Sequence, residues 1–456
     1  MMTTLLLKNA DLLLTMDEQR RRILQGGLFA RDGVIEQIGP TAELPNEADE
    51  VIDASGMIVL PGLINTHHHL YQTLTRAFPG AQDAELFDWL KLLYPVWGEL
   101  SDEAVYVSAT VGLAEMLLSG CTTSTDHLYL FPNDCTLDAE IRAAKELGVR
   151  FHPTRGSMSL GTSKGGLPPD HVVQSEDAIL ADCQRVIERY HDPESYAMVR
   201  IGLAPCSPFS VTPDLMRQAA DLARSYDKVY LHTHVAETMD EERFCLEKFG
   251  ARPAAYMQQL GWVGPDVWWA HAIWLDDDEV QMLADTGTGV AHCPSSNMRL
   301  GSGIAKIREM RAAGVKVGIA VDGSASNDSC NVLAETRSAL LLQRVTKGAA
   351  AFTVMDALEL ATLGSADVIG RDDLGRLAPG MAADFIGLKL DRLEFAGGAV
   401  HDPVASLLLC TPSGVDLSVI QGKRIVEGGQ ILGLDLERII ARHNELAVEM
   451  AAKHPA

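Results

Sequence analysis

The sequence predicts an α/β fold in which eight parallel strands close into a barrel inside a ring of helices. Apolar runs ending near His69, His127, Thr154, Cys206, Glu237, His271, Cys293 and Asp322 read as eight strands. Helical stretches such as 102–118, 138–147, 175–190, 213–225, 279–284 and 304–313 lie between them. Alternation of this kind argues for a parallel sheet with helices outside it, and eight repeats argue for closure. In addition, His67-x-His69, His234-x-x-Glu237, His271, His292 and Asp322 each stand at the end of such a run, where a parallel barrel carries its reactive groups.

The flanks differ from the middle. Residues 4–15, 27–38 around Asp32-Gly33, and 51–59 around Ser55-Gly56 alternate and turn as a meander of short strands does. The same texture returns after residue 374, at 375–377, 379–386 and 419–426. Two β-rich pieces of this size are expected to pair into one small β-sandwich built from both chain ends. The expected division is 1–60 and 375–456 for the sandwich, with 61–374 as the barrel and an amphipathic helix over 436–452.

A chain of 456 residues accommodates a large barrel and an accessory domain. Its 47% hydrophobic and 22% charged residues are those of a globular enzyme. The net charge of -24 repels phosphate backbones and anionic lipid, so nucleic acid and membrane surfaces are not expected partners. A small neutral or weakly acidic substrate fits better. The 8 cysteines form no C-x-x-C pair, which suits a reduced, cytoplasmic setting. Lys8, Asn9 and Asp11 interrupt the apolar stretch 5–14, which therefore reads as a strand and not as a signal or membrane segment.

The strongest local signal is the run 61–69, Pro-Gly-Leu-Ile-Asn-Thr-His-His-His. Alternate side chains of a strand share a face, so His67 and His69 point together into the barrel while His68 points away. Two imidazoles on one face suit a borderline cation such as zinc. His234 is a candidate third ligand, and Glu237 would stand beside the water as a proton shuttle. His232 shares the face of His234 but lies deeper, where a satisfied core histidine is an equal reading. Asp322 can bind the cation and take the proton of the attacking water, while His271 can hydrogen-bond that water or the developing oxyanion. His292 reads equally well as packing or catalysis. His127 and Arg155 face the expected mouth and are candidate substrate contacts.

Taken together these residues resemble the amidohydrolase superfamily, in its branch of single-metal aminohydrolases, and the late Pro-Gly-Met-Ala-Ala-Asp run at 379–384 looks like a family element. The resemblance implies a distorted (β/α)8, TIM-like barrel holding one divalent metal, zinc with iron as the alternative. His67, His69, His234 and Asp322 would be its ligands, and Glu237, His271 and Asp322 the catalytic groups. Binuclear relatives carry a lysine at the end of the fourth strand. Here the run 202–208 contains none, which favours one metal.

Nucleoside deaminases of the branch tend to have histidine at the place of Cys206 and glutamate at that of Phe87, so a free base is expected as substrate. The segments 69–72, 155–160 and 204–208 look most like the 8-oxoguanine deaminases, which are similar to hydroxyatrazine ethylaminohydrolases. The implied reaction is deamination of 8-oxoguanine to urate and ammonia, with isocytosine or guanine deamination and hydroxytriazine hydrolysis as alternatives. A barrel retained only for binding is the alternative of another class. Gln72 offers a donor and an acceptor to a heterocycle, and with Arg155, Cys206, Glu237 and His271 makes up the expected substrate contacts. Nucleobase and water are the expected partners, in a homo-oligomer whose segment Leu86–Trp97 covers the mouth or meets a neighbour.

Overall fold

The computed structural model describes residues 3–454. Its central sheet has eight parallel strands in chain order: Leu63–Asn65, Cys121–Leu128, Arg150–Ser157, Gly202–Pro205, Tyr230–Val235, Val267–His271, Gly289–His292 and Val317–Ile319. Apart from Tyr230, every residue in them is buried, so these segments show no alternation of buried and exposed positions.

The first and last strands are only three residues long, and their extensions close the barrel. Thr66 N donates to Ile319 O at 3.0 Å and Asp322 N donates to His67 O at 3.1 Å. Asn65 Oδ1 accepts from Val321 N at 2.9 Å. Closure therefore brings the first and last candidate ligands together. Below them the barrel is plugged: the Trp268 indole donates to Thr66 O at 3.0 Å and packs with Ile64, Ala291, Cys293 and Ala320. Only the C-terminal ends of the strands are left to form a site.

The outer helices begin where side chains can cap them. Ser101, Ser175 and Thr212 accept from the N–H three residues on, at the starts of Asp102–Leu118, Glu176–Tyr190 and Pro213–Arg224. A capping box of Asp276 and Glu279 starts Asp277–Thr286, which is longer at both ends than the expected 279–284. The stretch expected from 304 becomes helical only at Ile307–Ala313.

Both chain ends do pair into one unit, a nine-stranded mixed sheet. The junction is antiparallel pairing of Met57–Pro61 with Phe385–Lys389. The sheet curls onto a core of its own that includes Leu7, Leu13, Leu28, Val59, Phe385 and Val419. Bonds from Ile35 N to Met381 O and from Ala383 N to Gly33 O, both 2.8 Å, fasten the curl. The last helix, Leu436–Ala452, lies against the barrel: Leu446 and Met450 join its core, and His443 Nε2 meets Thr73 Oγ1 at 2.9 Å.

Candidate metal centre

His67, His69, His234 and Asp322 converge at the open end of the barrel. His67 Nε2 and His69 Nε2 lie 3.2 and 3.4 Å from Asp322 Oδ1, and His69 Nε2 lies 3.2 Å from His234 Nε2. His68 turns the other way, its Nε2 3.1 Å from Cys330 Sγ. Two overlapping groups of four donors, His67, His234, His271 and Asp322 and His67, His69, His127 and His234, each lie within 4.8 Å of one another.

The hydrogen bonds behind the rings decide which nitrogen is free. His69 Nδ1 is 2.7 Å from His127 O and His234 Nδ1 is 2.7 Å from Cys206 O. A carbonyl only accepts, so both Nδ1 atoms carry hydrogen and both Nε2 atoms keep a lone pair. The same logic runs through two histidines for His67. His232 Nδ1 donates to Trp268 O at 2.9 Å, which leaves its Nε2 to accept from His67 Nδ1 at 2.6 Å. His67 Nε2 is then a buried lone pair without a hydrogen-bond partner among the described residues.

Burial keeps the rings neutral, lowering His67 well below the ordinary value and His234 to about 3. Burial alone would raise Asp322, but His67, His271 and His69 hold it well below the usual carboxylate range. Three neutral imidazoles and one carboxylate are a donor set that fits a divalent cation. Asp322 is fixed by Gly323 N at 2.7 Å and Ser326 Oγ at 3.1 Å. Asp322, His271 and Ala236 all have positive φ, at 60°, 71° and 56°, so the strand ends are bent to aim these residues.

Beside the donor set, His271 Nε2 lies 3.5 Å from Glu237 Oε2 and 3.9 Å from Asp322 Oδ2. Burial disfavours charge on His271, yet the two carboxylates outweigh it and its pKa is raised. Burial also raises Glu237, which accepts from Ser302 Oγ at 3.3 Å. Two positioning groups were not legible beforehand. Glu241 accepts from the N–H groups of Ala236 and Glu237, each at 2.9 Å; in sequence it is one of three acids in the first turn of Met239–Phe249. Asn297 Oδ1 lies 2.9 Å from His271 Nδ1; its only sequence signal is its place just after the seventh strand, in the short helix Pro294–Arg299.

These groups open onto a cavity at the mouth of the barrel. Gln72 and Cys206 line it together with Trp89, Tyr94, Tyr129 and Phe209. Burial pushes the Cys206 thiol up to about 12, so it is neutral. Phe87 packs against Phe209 with ring centroids 4.9 Å apart. The helix Leu86–Trp97 supplies Leu86, Trp89, Leu90 and Tyr94 to the wall.

Arg155 requires a correction. It does not reach the cavity: its Nε donates to Asp182 Oδ2 at 2.7 Å and its guanidinium covers Phe131, 3.5 Å from the ring centroid. The third strand is phased so that Arg155 faces the helix Glu176–Tyr190, and a paired, buried guanidinium is not free for substrate. His127 lies behind the donor set and not in the cavity wall, its Nε2 donating to Ala204 O at 2.8 Å. His292 is fully buried, with neither ring nitrogen paired among the described residues.

The barrel and its donor cluster are those of a metal-dependent hydrolase. The chain belongs to the Amidohydrolase family, whose model matches residues 58–425. It is 50% identical over 430 residues to an 8-oxoguanine deaminase of Pseudomonas aeruginosa, covering 94% of this chain and 95% of that protein. It is 39% identical to a hydroxydechloroatrazine ethylaminohydrolase of Pseudomonas sp. strain ADP, covering 95% and 93%. An atrazine chlorohydrolase of Arthrobacter aurescens TC1 complexed with zinc superposes with a TM-score of 0.92 at 35% identity, covering 97% of this chain and 100% of that one.

Proposed function

We propose that this chain is a hydrolytic deaminase of a free nucleobase, converting 8-oxoguanine and water to urate and ammonia. The observation that carries the reading is Glu237, a carboxyl whose pKa burial raises, beside His271 and the imidazole–carboxylate cluster that line one cavity. The 50% identity to an 8-oxoguanine deaminase supports the substrate.

His67, His69, His234 and Asp322 would hold the metal, and zinc is favoured by the neighbour complexed with it. A bound divalent ion supplies Lewis acidity, lowering the pKa of a water towards about 7. Against so acidified a water even a weakly basic carboxylate suffices, so Asp322 takes its proton as the oxygen adds to C2. Glu237, whose pKa burial raises, serves as the acid that delivers a proton to the neighbouring ring nitrogen. His271, steadied by Asn297, hydrogen-bonds the oxygen of the tetrahedral centre. The exocyclic nitrogen gains the proton taken by Asp322 and leaves as ammonia, while the proton remaining on the added oxygen passes to Glu237, which forms the C2 carbonyl and restores the acid. Gln72 and Cys206 contact the base.

The barrel and flanking sheet correspond to 61–374 and to 1–60 with 375–456. A cytoplasmic homo-oligomer without a nucleic acid partner is the accompanying picture, supported by the scattered free cysteines and the net charge of -24. No described helix is long and apolar enough to cross a membrane. The deciding assay follows ammonia or alkylamine release from 8-oxoguanine, guanine, isocytosine and hydroxyatrazine. A higher kcat/KM for any of the last three refutes the assigned substrate, and a metal-free protein without turnover would leave only a binding role.

A further inference from the structure

Tyr94 is fully buried, lines the cavity from the helix Leu86–Trp97, and its hydroxyl has no partner among the described residues. Other polar groups of the wall are engaged. Gln72 Oε1 accepts from Ala325 N at 3.3 Å, Ser326 Oγ donates to Asp322, and Tyr129 pairs with Tyr71. A buried hydroxyl left unpaired is costly, so one kept in a ligand cavity is a donor that the ligand satisfies.

Its place determines which edge of the ligand it meets. The phenol's ionisable neighbours are Tyr129 and Cys206, just past the second strand and at the end of the fourth. His271 comes from the end of the sixth strand, which lies across the eight-stranded ring from the second, while Glu237 follows the fifth, next to the fourth, and Asp322 the eighth. A purine with C2 over the donor cluster points its five-membered ring towards Tyr94. In 8-oxoguanine that edge ends in the C8 carbonyl oxygen, an acceptor; guanine has only C–H there, and isocytosine lacks the ring.

We propose that Tyr94 donates its phenolic hydrogen to the C8 oxygen of an 8-oxopurine and is the residue that separates 8-oxoguanine from guanine; the inference rests on the substrate reading above. A site built to pair with a polar group rejects the analogue lacking it, because the site's own group is then left unpaired.

The test compares Tyr94→Phe with the wild type on 8-oxoguanine, guanine and isocytosine. The expected result is a fall in kcat/KM for 8-oxoguanine of about 10- to 100-fold, with guanine and isocytosine changed less than about threefold. An unchanged 8-oxoguanine-to-guanine ratio, or an equal loss on all three, overturns it and leaves Tyr94 a packing residue. A wild type inactive on 8-oxoguanine but active on another base instead removes the parent reading. Should the variant fail to fold, inhibition of the wild type decides: urate, which keeps the C8 oxygen, is expected to bind at least about tenfold more tightly than xanthine, and equal inhibition overturns the assignment.

Discussion

His67 and His232 share one hydrogen, with His67 Nδ1 2.6 Å from His232 Nε2. His232 is oriented by Trp268 twice over, through its carbonyl at 2.9 Å and through ring stacking at 4.4 Å between centroids. The chain Trp268–His232–His67 thus selects the tautomer that faces the cavity. Outer groups of this kind raise metal affinity by about 10–100-fold. His232→Ala is expected to weaken metal binding by that factor in a chelator competition while circular dichroism is unchanged. Wild-type affinity in the variant would show His232 to be ordinary core.

Glu237 acts on protons and not on the cation. Glu237→Gln is expected to lower kcat by about 10²- to 10⁴-fold with metal content unchanged. Parallel loss of metal and turnover, read by metal analysis beside kinetics, would reassign it as a ligand.

Glu241 holds the two N–H groups that aim Glu237. An amide at this position opposes N–H to N–H, so Glu241→Gln displaces the shuttle without touching the cavity. The expected effect is a fall in kcat of about 10- to 100-fold at constant KM. A change confined to KM or to thermal stability contradicts the positioning role.

Asp373 tests the junction between barrel and sheet by pH. Burial alone would raise it, but two bonds of 2.7 Å from Arg371 and one of 2.6 Å from Tyr196 N bring it to about 2, from 3.8. A lowered carboxyl contributes stability that is present above pH 3.8 and is lost as pH falls through 2. The shift is worth roughly 2 kcal/mol. Urea unfolding of the wild type and Asp373→Asn is expected to differ by about that amount or more at pH 7 and to converge in strong acid. A difference independent of pH means that the carboxylate charge is not the cause.

Removal of the metal by a chelator is expected to abolish turnover and lower the Tm, because an ion that binds only the folded state stabilises it. Reconstitution with zinc and with iron, compared by recovered kcat, identifies the working ion. Full activity in metal-free protein is the result that would overturn the centre.

Much of the site was legible because its chemistry sits at strand ends. His67 and His69 are two apart on an extended segment, and that spacing alone puts both rings on one side. Eight runs ending in reactive residues announced the barrel, and the helical stretches between them were found near their observed positions. Arg155 was misplaced because a fully buried strand gives no alternation from which to phase its two faces. Glu241 and Asn297 were missed because their partners are a backbone N–H and a ring nitrogen on other elements, and a lone acid or amide carries no spacing signal.

By itself the sequence determined the strand and helix inventory, the inward pair of imidazoles and the acids available for proton transfer, since these follow from local periodicity and covalent spacing. Only the tertiary structure decided that His67 meets Asp322, that His232 lends its lone pair to His67, that Arg155 faces Asp182, and that the Tyr94 hydroxyl is left unpaired. Each of these depends on the hydrogen bonds that close the barrel and on the angle at which a helix docks, and such long-range geometry leaves no trace in residue spacing.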